Sequence, residues 1–238
     1  MRLMRASLLG LVAGATLAQG ALAADLGGGP RRSVKDEGLP YVVPFTWTGL
    51  YIGAHVGYGW SDLDWQFELS PIATGQDGSG WLGGGQIGYN LQRGALVFGI
   101  EADISSTNID GGTACPNAAF NCSHNVNWLA SVRGRLGVAG NDNRTLFYVT
   151  AGGAWADMDY KAVSAGGVPF GTSFSETHFG WVAGGGIEHA LSPNLTARVE
   201  YLYYGFDGVT APAGTLGAGA ASLDPSVQTV RFGLNFKF

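Results

Sequence analysis

Charge is the first thing this sequence has little of. Asp, Glu, Lys and Arg make up 13% of its 238 residues, against roughly 25% in an ordinary soluble domain. A surface facing water on all sides is normally richer in charge than this. Cysteine is nearly absent as well: Cys115 and Cys122 are too few for a disulfide scaffold or a four-cysteine zinc site. No uninterrupted apolar run reaches the ~18 residues that a helical membrane span needs. Helix signals are scarce, because 40 glycines are scattered along the chain and each costs a helix about 1 kcal/mol relative to Ala. That glycine has no Gly-X-Y period, which excludes collagen. Seven Trp, nine Tyr and twelve Phe exclude a disordered chain. The apolar area of this molecule therefore needs a place other than a bundle of helices.

The N-terminus supplies a first clue. Met1 to Arg5 is short and basic, Leu8 to Ala18 is apolar and uncharged, and Ala21-Leu22-Ala23 is a small-x-small cleavage site. These are the three parts of a secretory signal peptide over residues 1–23. Residues 24–45 carry three Pro and six charges and read as a flexible leader. The folded domain then occupies residues 46–238. Removing Arg2 and Arg5 leaves 11 basic against 18 acidic residues, a net charge of −7, which argues against nucleic acid as a partner.

Inside residues 46–238 the recurring signal is period-2 alternation. Val126, Trp128, Ala130, Val132, Leu136 and Val138 share one side, and Asn127, Ser131, Arg133 and Arg135 the other, with Leu129 out of step. Val230, Phe232, Leu234, Phe236 and Phe238 alternate with Thr229, Arg231, Asn235 and Lys237. Eight strands are read this way, at 46–60, 80–91, 96–104, 125–140, 145–157, 177–189, 195–206 and 227–238. Tight turns at Gln92–Ala95, Asn141–Arg144 and Ala190–Asn194 alternate with long connections at 61–79, 105–124, 158–176 and 207–226. Short turns at one end and long loops at the other describe an eight-stranded, antiparallel, up-and-down transmembrane β-barrel. Most strands exceed the ~9–11 residues that a tilted strand needs to cross a bilayer. The face with Trp128, Val132, Leu136, Phe232 and Phe236 is expected to meet lipid. Trp60, Trp81, Trp128 and Trp181 form an expected outer aromatic belt, and Trp47, Tyr148 and Phe238 an inner one.

Alternation assigns eight charges to the lumen: Glu101, Asp103, Glu188 and Glu200 against Arg133, Arg135, Arg198 and Arg231. An unpaired buried charge costs several kcal/mol, and eight strands enclose a space that side chains can fill. A salt-bridged plug is expected, with a narrow charge-lined pore as the functional alternative. Glycines within strands, as in Gly83-Gly84-Gly85, Gly152-Gly153 and Gly184-Gly185-Gly186, supply curvature and space for those side chains. Gly83 to Gly88 also spells G-x-G-x-x-G, but no helix follows, so no dinucleotide fingerprint is read. In an exported chain Cys115 and Cys122 are expected to close a disulfide within the second long loop. His178 near Ser175 and Glu176 has the chemistry of a lipid-modifying site without any motif for it, and no spacing supports hemin ligation by His124 or His178. No catalytic residue, metal site or cofactor is assigned.

Several segments carry a family resemblance. Gly180-Trp181-Val182-Ala183-Gly184-Gly185-Gly186-Ile187-Glu188, followed by Arg198-Val199-Glu200-Tyr201-Leu202-Tyr203-Tyr204, resembles the α-proteobacterial outer-membrane β-barrel family that includes the Brucella-type 25- and 31-kDa outer-membrane immunogenic proteins. Trp47-Thr48-Gly49-Leu50-Tyr51-Ile52-Gly53 resembles the barrel entry of that family, and Val230 to Phe238 its terminal strand. The resemblance implies a Gram-negative outer-membrane location, with lipid and lipopolysaccharide as surroundings. It also implies that the barrel-assembly machinery reads Phe236 and Phe238. Members are described as porin-like, as surface antigens and as structural components of the envelope, and some relatives bind hemin. The leading expectation is a structural surface component with at most narrow pore activity, able to form a homo-oligomer. The alternatives are a small diffusion porin, a binder of hemin or host ligands through its loops, and a lipid-modifying enzyme. A closed barrel resists detergent until heated, so unboiled protein should run at a different position from boiled protein on a denaturing gel; identical migration would count against the barrel.

Overall fold

A computed structural model describes residues 45–67, 73–114, 120–164, 174–212 and 220–238. The signal peptide and all of the leader except Phe45 lie outside the described residues. The strands are β1 (Gly49–Phe67), β2 (Ala73–Arg93), β3 (Leu96–Ala114), β4 (Phe120–Ala139), β5 (Thr145–Ser164), β6 (Phe174–Ala190), β7 (Leu195–Phe206), β8 (Val209–Ala211) and β9 (Ala221–Lys237). β1 to β7 pair antiparallel in sequence order, β7 pairs with β9, and β9 pairs with β1, which closes the sheet. β8 continues the line of β7 along β9: Gly205 opposes Ser226, then Val209 opposes Leu223. The described residues thus form a closed barrel of eight staves and contain no helix. Closure matters because an unpaired backbone group in hydrocarbon costs several kcal/mol.

The tight turns fall where the sequence places them, at residues 94–95, 140–144 and 191–194. In the second, the backbone amides of Arg144 and Thr145 donate to Asp142 at 3.0 and 3.2 Å. The Arg144 amide holds the Asp142 carboxyl below the usual carboxylate range. Asn143 takes a positive φ of 55°, a conformation that Asn tolerates better than most residues.

All the strands but β7 are longer than expected. Ser61–Phe67 and Ala73–Ser79, expected as loop, extend β1 and β2; the connections at 105–124 and 158–176 likewise begin and end as strand, and that at 207–226 ends as strand, whereas β7 stops at Phe206 as expected. The reason is an inversion of polarity. Up to Trp60 on β1, Trp81 on β2 and Trp155 on β5, outward side chains are apolar, as with Ile100, Ile104 and Val149 at 59–62% exposure. Beyond them the outward side chains are Asp62, Asp64, Asp77 and Asp110, while the inward ones become Leu63, Ile109, Val126, Met158 and Leu223. The alternation never stops; its apolar side changes from lipid-facing to lumen-facing.

A bulge on β4 corrects a second expectation. The β4–β5 register shifts between Val126 and Trp128, and the extra residue swaps the faces of the strand. Val126, grouped with the lipid-facing side, is fully buried inside, and Leu129 is an inward core residue at 0% exposure, no longer out of step.

The glycine runs fit most tightly at their inward positions. A Cβ on Gly152 would lie 2.0 Å from the Val132 carbonyl oxygen and 2.7 Å from the Arg133 Cα. On Gly153 the nearest atom would be 3.7 Å away. The backbone of β4 coils into the space above Gly152, which is how so narrow a barrel curves. Gly152→Ala should therefore destabilise the barrel by about 1–3 kcal/mol, as overpacking does, while Gly153→Ala is nearly neutral. Urea titration of refolded protein, followed by gel migration, measures both; equal midpoints would refute the distinction.

Candidate functional site

The lumen is filled at three levels. At the short-turn end Trp47, 1% exposed, packs against Val97, Ala139, Leu146 and Tyr148. Its indole N–H donates to the Asn143 carbonyl at 3.1 Å, and its backbone N–H to Gln92 Oε1 at 2.8 Å. Lys237 Nζ donates to the Thr46 and Thr48 carbonyls at 2.7 and 3.0 Å, tying the entering chain to the last strand. Trp47 and Tyr148, assigned to the inner belt from sequence, instead face the interior. Tyr89, Phe98, Phe147, Phe236 and Phe238 stand exposed at that end.

Above this stopper lies the charged layer. All eight residues assigned to the lumen are on inward positions and buried, and they form one connected network. Glu101 on β3 is its hub, meeting Arg133 at 2.5 Å, Arg198 at 2.5 Å and Arg135 at 3.6 Å. Arg133 also meets Asp103 and Glu200, each at 3.1 Å. Arg231 reaches Asp103 at 2.9 Å, Arg135 reaches Glu188 at 2.7 Å, and Arg198 reaches Glu200 at 3.9 Å. Four positive and four negative side chains from β3, β4, β6, β7 and β9 thus neutralise one another across the barrel.

Sequence reasoning missed the hydroxyls and amides that complete this layer. Tyr51 donates to Glu101 at 2.6 Å and accepts from Arg135 at 2.8 Å. Tyr148 donates to Glu200 at 3.0 Å, and the Arg135 guanidinium lies 4.0 Å from its ring centroid. Tyr204 accepts from Arg231 at 2.5 Å, and Ser131 donates to Asp103. Thr196 and Asn235 donate to Glu188 at 2.5 and 2.8 Å. Gln86 donates to Asn235 at 2.7 Å and bonds His55 at 2.6 Å; His55 in turn bonds Ser105 at 2.8 Å. The inward parity of each strand would have found them: Tyr51 and His55 alternate with Gly53 and Gly57, and Thr196 with Arg198 and Glu200.

The third level is apolar. Leu63, Ile109, Val126, Leu129, Met158, Leu202, Phe206, Leu223 and Val227 fill the barrel toward the outer mouth. Two imidazoles sit among them: His124 bonds Ser61 Oγ at 2.8 Å, and His178 bonds the Tyr160 hydroxyl at 2.9 Å. Ser175 is on the opposite face of β6 from His178 and bonds Asp157 at 3.4 Å, so the set considered for lipid chemistry is not brought together. Among the described residues no three His, Cys, Asp or Glu side chains are grouped as metal ligands. Cys122 is buried on β4, and Cys115 lies outside the described residues.

The outer surface completes the picture. Trp60, Trp81, Trp155, Phe179 and Trp181 are exposed at one level, with Tyr58 edge-on to Trp60 and Trp81. Phe236 and Phe238 are exposed at the other end, their rings edge-to-face at 5.3 Å. Two aromatic girdles flank an apolar band on a closed barrel. The model of the outer membrane protein β-barrel domain matches residues 45–238. This chain belongs to that family of outer-membrane β-barrels. It is 29% identical over 242 residues to the 31 kDa outer-membrane immunogenic protein of Brucella melitensis biotype 1, covering 94% of this chain and 96% of the relative. The 22 kDa outer membrane protein of Rhizobium leguminosarum bv. viciae is 29% identical, covering 81% of this chain and 79% of its own length. The solved outer membrane protein OprG of Pseudomonas aeruginosa shares the fold, with a TM-score of 0.50, 13% identity, and coverage of 83% of this chain and all of that one. This β-barrel is an outer-membrane protein, homologous to proteins whose names describe location and immunogenicity.

Removing one member of a buried ionic network leaves its partners uncompensated, a loss of about 3–5 kcal/mol. Arg133→Ala should lower the urea midpoint of this barrel accordingly, and adding Glu200→Gln should recover part of the loss. A midpoint that does not move would show that the network does not hold the lumen together.

Proposed function

We propose that this outer-membrane barrel is a closed structural and surface component of the envelope, with at most narrow pore activity and no catalytic role. The observation that carries the reading is the lumen, which is filled by Trp47, then by the eight-charge network, then by the apolar layer. A diffusion porin needs a water-filled path, and the buried side chains leave these three layers across it. The reading as a lipid-modifying enzyme loses its support with the separation of Ser175 and His178. Surface-antigen character comes from the relatives' names, which call them immunogenic.

The partners follow from the surfaces. Lipid and lipopolysaccharide cover the apolar band and its aromatic girdles. The barrel-assembly machinery reads the last strand through Phe236 and Phe238, whose exposed rings end it. An apolar groove outside β1, β6, β7 and β9, lined in part by Ala54, Ile187, Ala197 and Phe232, supports self-association. Cys115 and Cys122 close the outer connection between β3 and β4 by a disulfide, formed in the oxidising compartment that export crosses. No nucleic acid, cofactor or metal is part of this reading.

Planar-bilayer recording of purified, refolded protein tests it. The expected trace is silent or shows rare, small events. Regular large steps, altered in size by Arg133→Ala, would make the protein a porin.

A further inference from the structure

The wall of the barrel is not equally continuous all round. Beyond the outer aromatic girdle β1 and β9 stay paired as far as Phe67 and Ala221, and β4 and β5 as far as Phe120 and Ser164. β6 and β7 part much earlier, at Gly180 and Phe206, with one last hydrogen bond from the Asp207 N–H to the Phe179 carbonyl at 3.0 Å. The sequence explains the break. Asp207-Gly208 is followed by β8 after a one-residue change of register, opposite Asp224-Pro225 on β9. Proline cannot donate to a ladder and sits at such irregularities. Gly208 lies close against β9 here: a Cβ on it would be 2.2 Å from Asp224 Oδ1 and 3.4 Å from the Leu223 carbonyl oxygen. β8 then pairs with β9 alone.

Among the described residues this leaves an edge on β6. Because the Phe179 carbonyl points toward β7, strand alternation points the N–H and C=O groups of Thr177 and Ser175 the same way. No described residue pairs with them on that side. The edge lies past Phe179 and Trp181, which are both 54% exposed in the girdle, and is therefore outside the hydrocarbon. A strand edge in water is a template for another strand.

The charge around the edge selects the occupant. Asp157 opposes Thr177 and Asp159 opposes Ser175 on the neighbouring β5. Glu176 is on the edge strand itself, and Asp207 stands at its base. Lys161 is the one basic side chain nearby on β5. A second copy of this chain presenting the same edge would set acid against acid, which disfavours cross-strand pairing. We propose that the β6 edge at Ser175–Thr177 binds an extended, basic peptide segment by strand addition, its amides meeting the β6 backbone and its alternate Lys or Arg side chains, on the outward face, meeting Asp157 and Asp159.

The test uses full-length mature protein refolded in detergent and a fluorescent peptide of alternating Lys and Val, with a Glu-for-Lys peptide as control. The Lys peptide should bind saturably and more weakly as salt rises, and should protect the Thr177 amide from hydrogen exchange. Thr177→Pro removes a donor that serves no described ladder bond, and should weaken binding at least about tenfold, the equivalent of about 1.4 kcal/mol, while leaving heat-dependent gel migration intact. Asp157→Asn should weaken it several-fold. Equal binding of the Glu peptide, absence of binding, or undiminished binding to a folded Thr177→Pro variant would overturn the proposal. So would a Thr177 amide already protected in the free protein, which would mean that the chain's own residues occupy the edge, or one protected only as protein concentration rises, which would assign it to a second copy. Exchange on the unsubstituted protein decides the matter even if a variant fails to fold.

Discussion

Hydrocarbon offers a peptide group no hydrogen-bond partner, so every backbone N–H and C=O that crosses the bilayer must be satisfied within the sheet. For this chain the β9–β1 ladder meets that requirement, since without it two edges would face lipid. Closing eight strands fixes a narrow circumference, and most other features follow from it. A narrow barrel curves sharply, so inward glycines such as Gly152 let the next backbone approach where a methyl group would collide. It also brings the inward charges close enough to contact one another directly. The molecule is stable because of its closure, and its lumen has to be filled as a consequence.

The two halves of the barrel solve opposite solvent problems with one backbone. In the membrane the outside is apolar and the inside ionic; beyond the girdle the outside is acidic and the inside apolar. The outer half is in effect a small water-soluble barrel built on top of a membrane barrel. Trp60, Trp81 and Trp155 mark the plane where one set of rules gives way to the other. Only in the outer half, where water can satisfy a free amide, does a seam open between β6 and β8.

Much of this was legible in the residues. Arg133, Arg135 and Arg231 stand at inward parity among aliphatic and aromatic neighbours, so period-2 counting places them without any knowledge of the fold. The eight strands and three tight turns came from the same count. What the count missed has physical causes. One extra residue between Val126 and Trp128 swaps the two faces of β4, and no composition signal announces a bulge. The outer strand extensions escaped because an apolar-outward pattern was sought where water, not lipid, is the solvent. Trp47 looked like a girdle residue because tryptophan favours interfaces; its role as a stopper depends on Asn143 and Gln92, distant in sequence, meeting it from two turns. Tyr148 was expected in the inner aromatic belt and Tyr51 and Tyr204 carried no assignment, yet each lends a hydroxyl to the ionic layer.

The even balance of the ionic layer bears on how the barrel responds to voltage. Moving one elementary charge through 100 mV is worth about 2.3 kcal/mol, enough to drive a loose charged element. Here four cations and four anions are joined through Glu101 and Arg133, and their side chains rise from five different strands of a closed wall. A field along the barrel axis pulls the two signs in opposite directions by equal amounts, so the layer as a whole feels no net force. Displacing the layer as one body along the axis therefore carries no net gating charge.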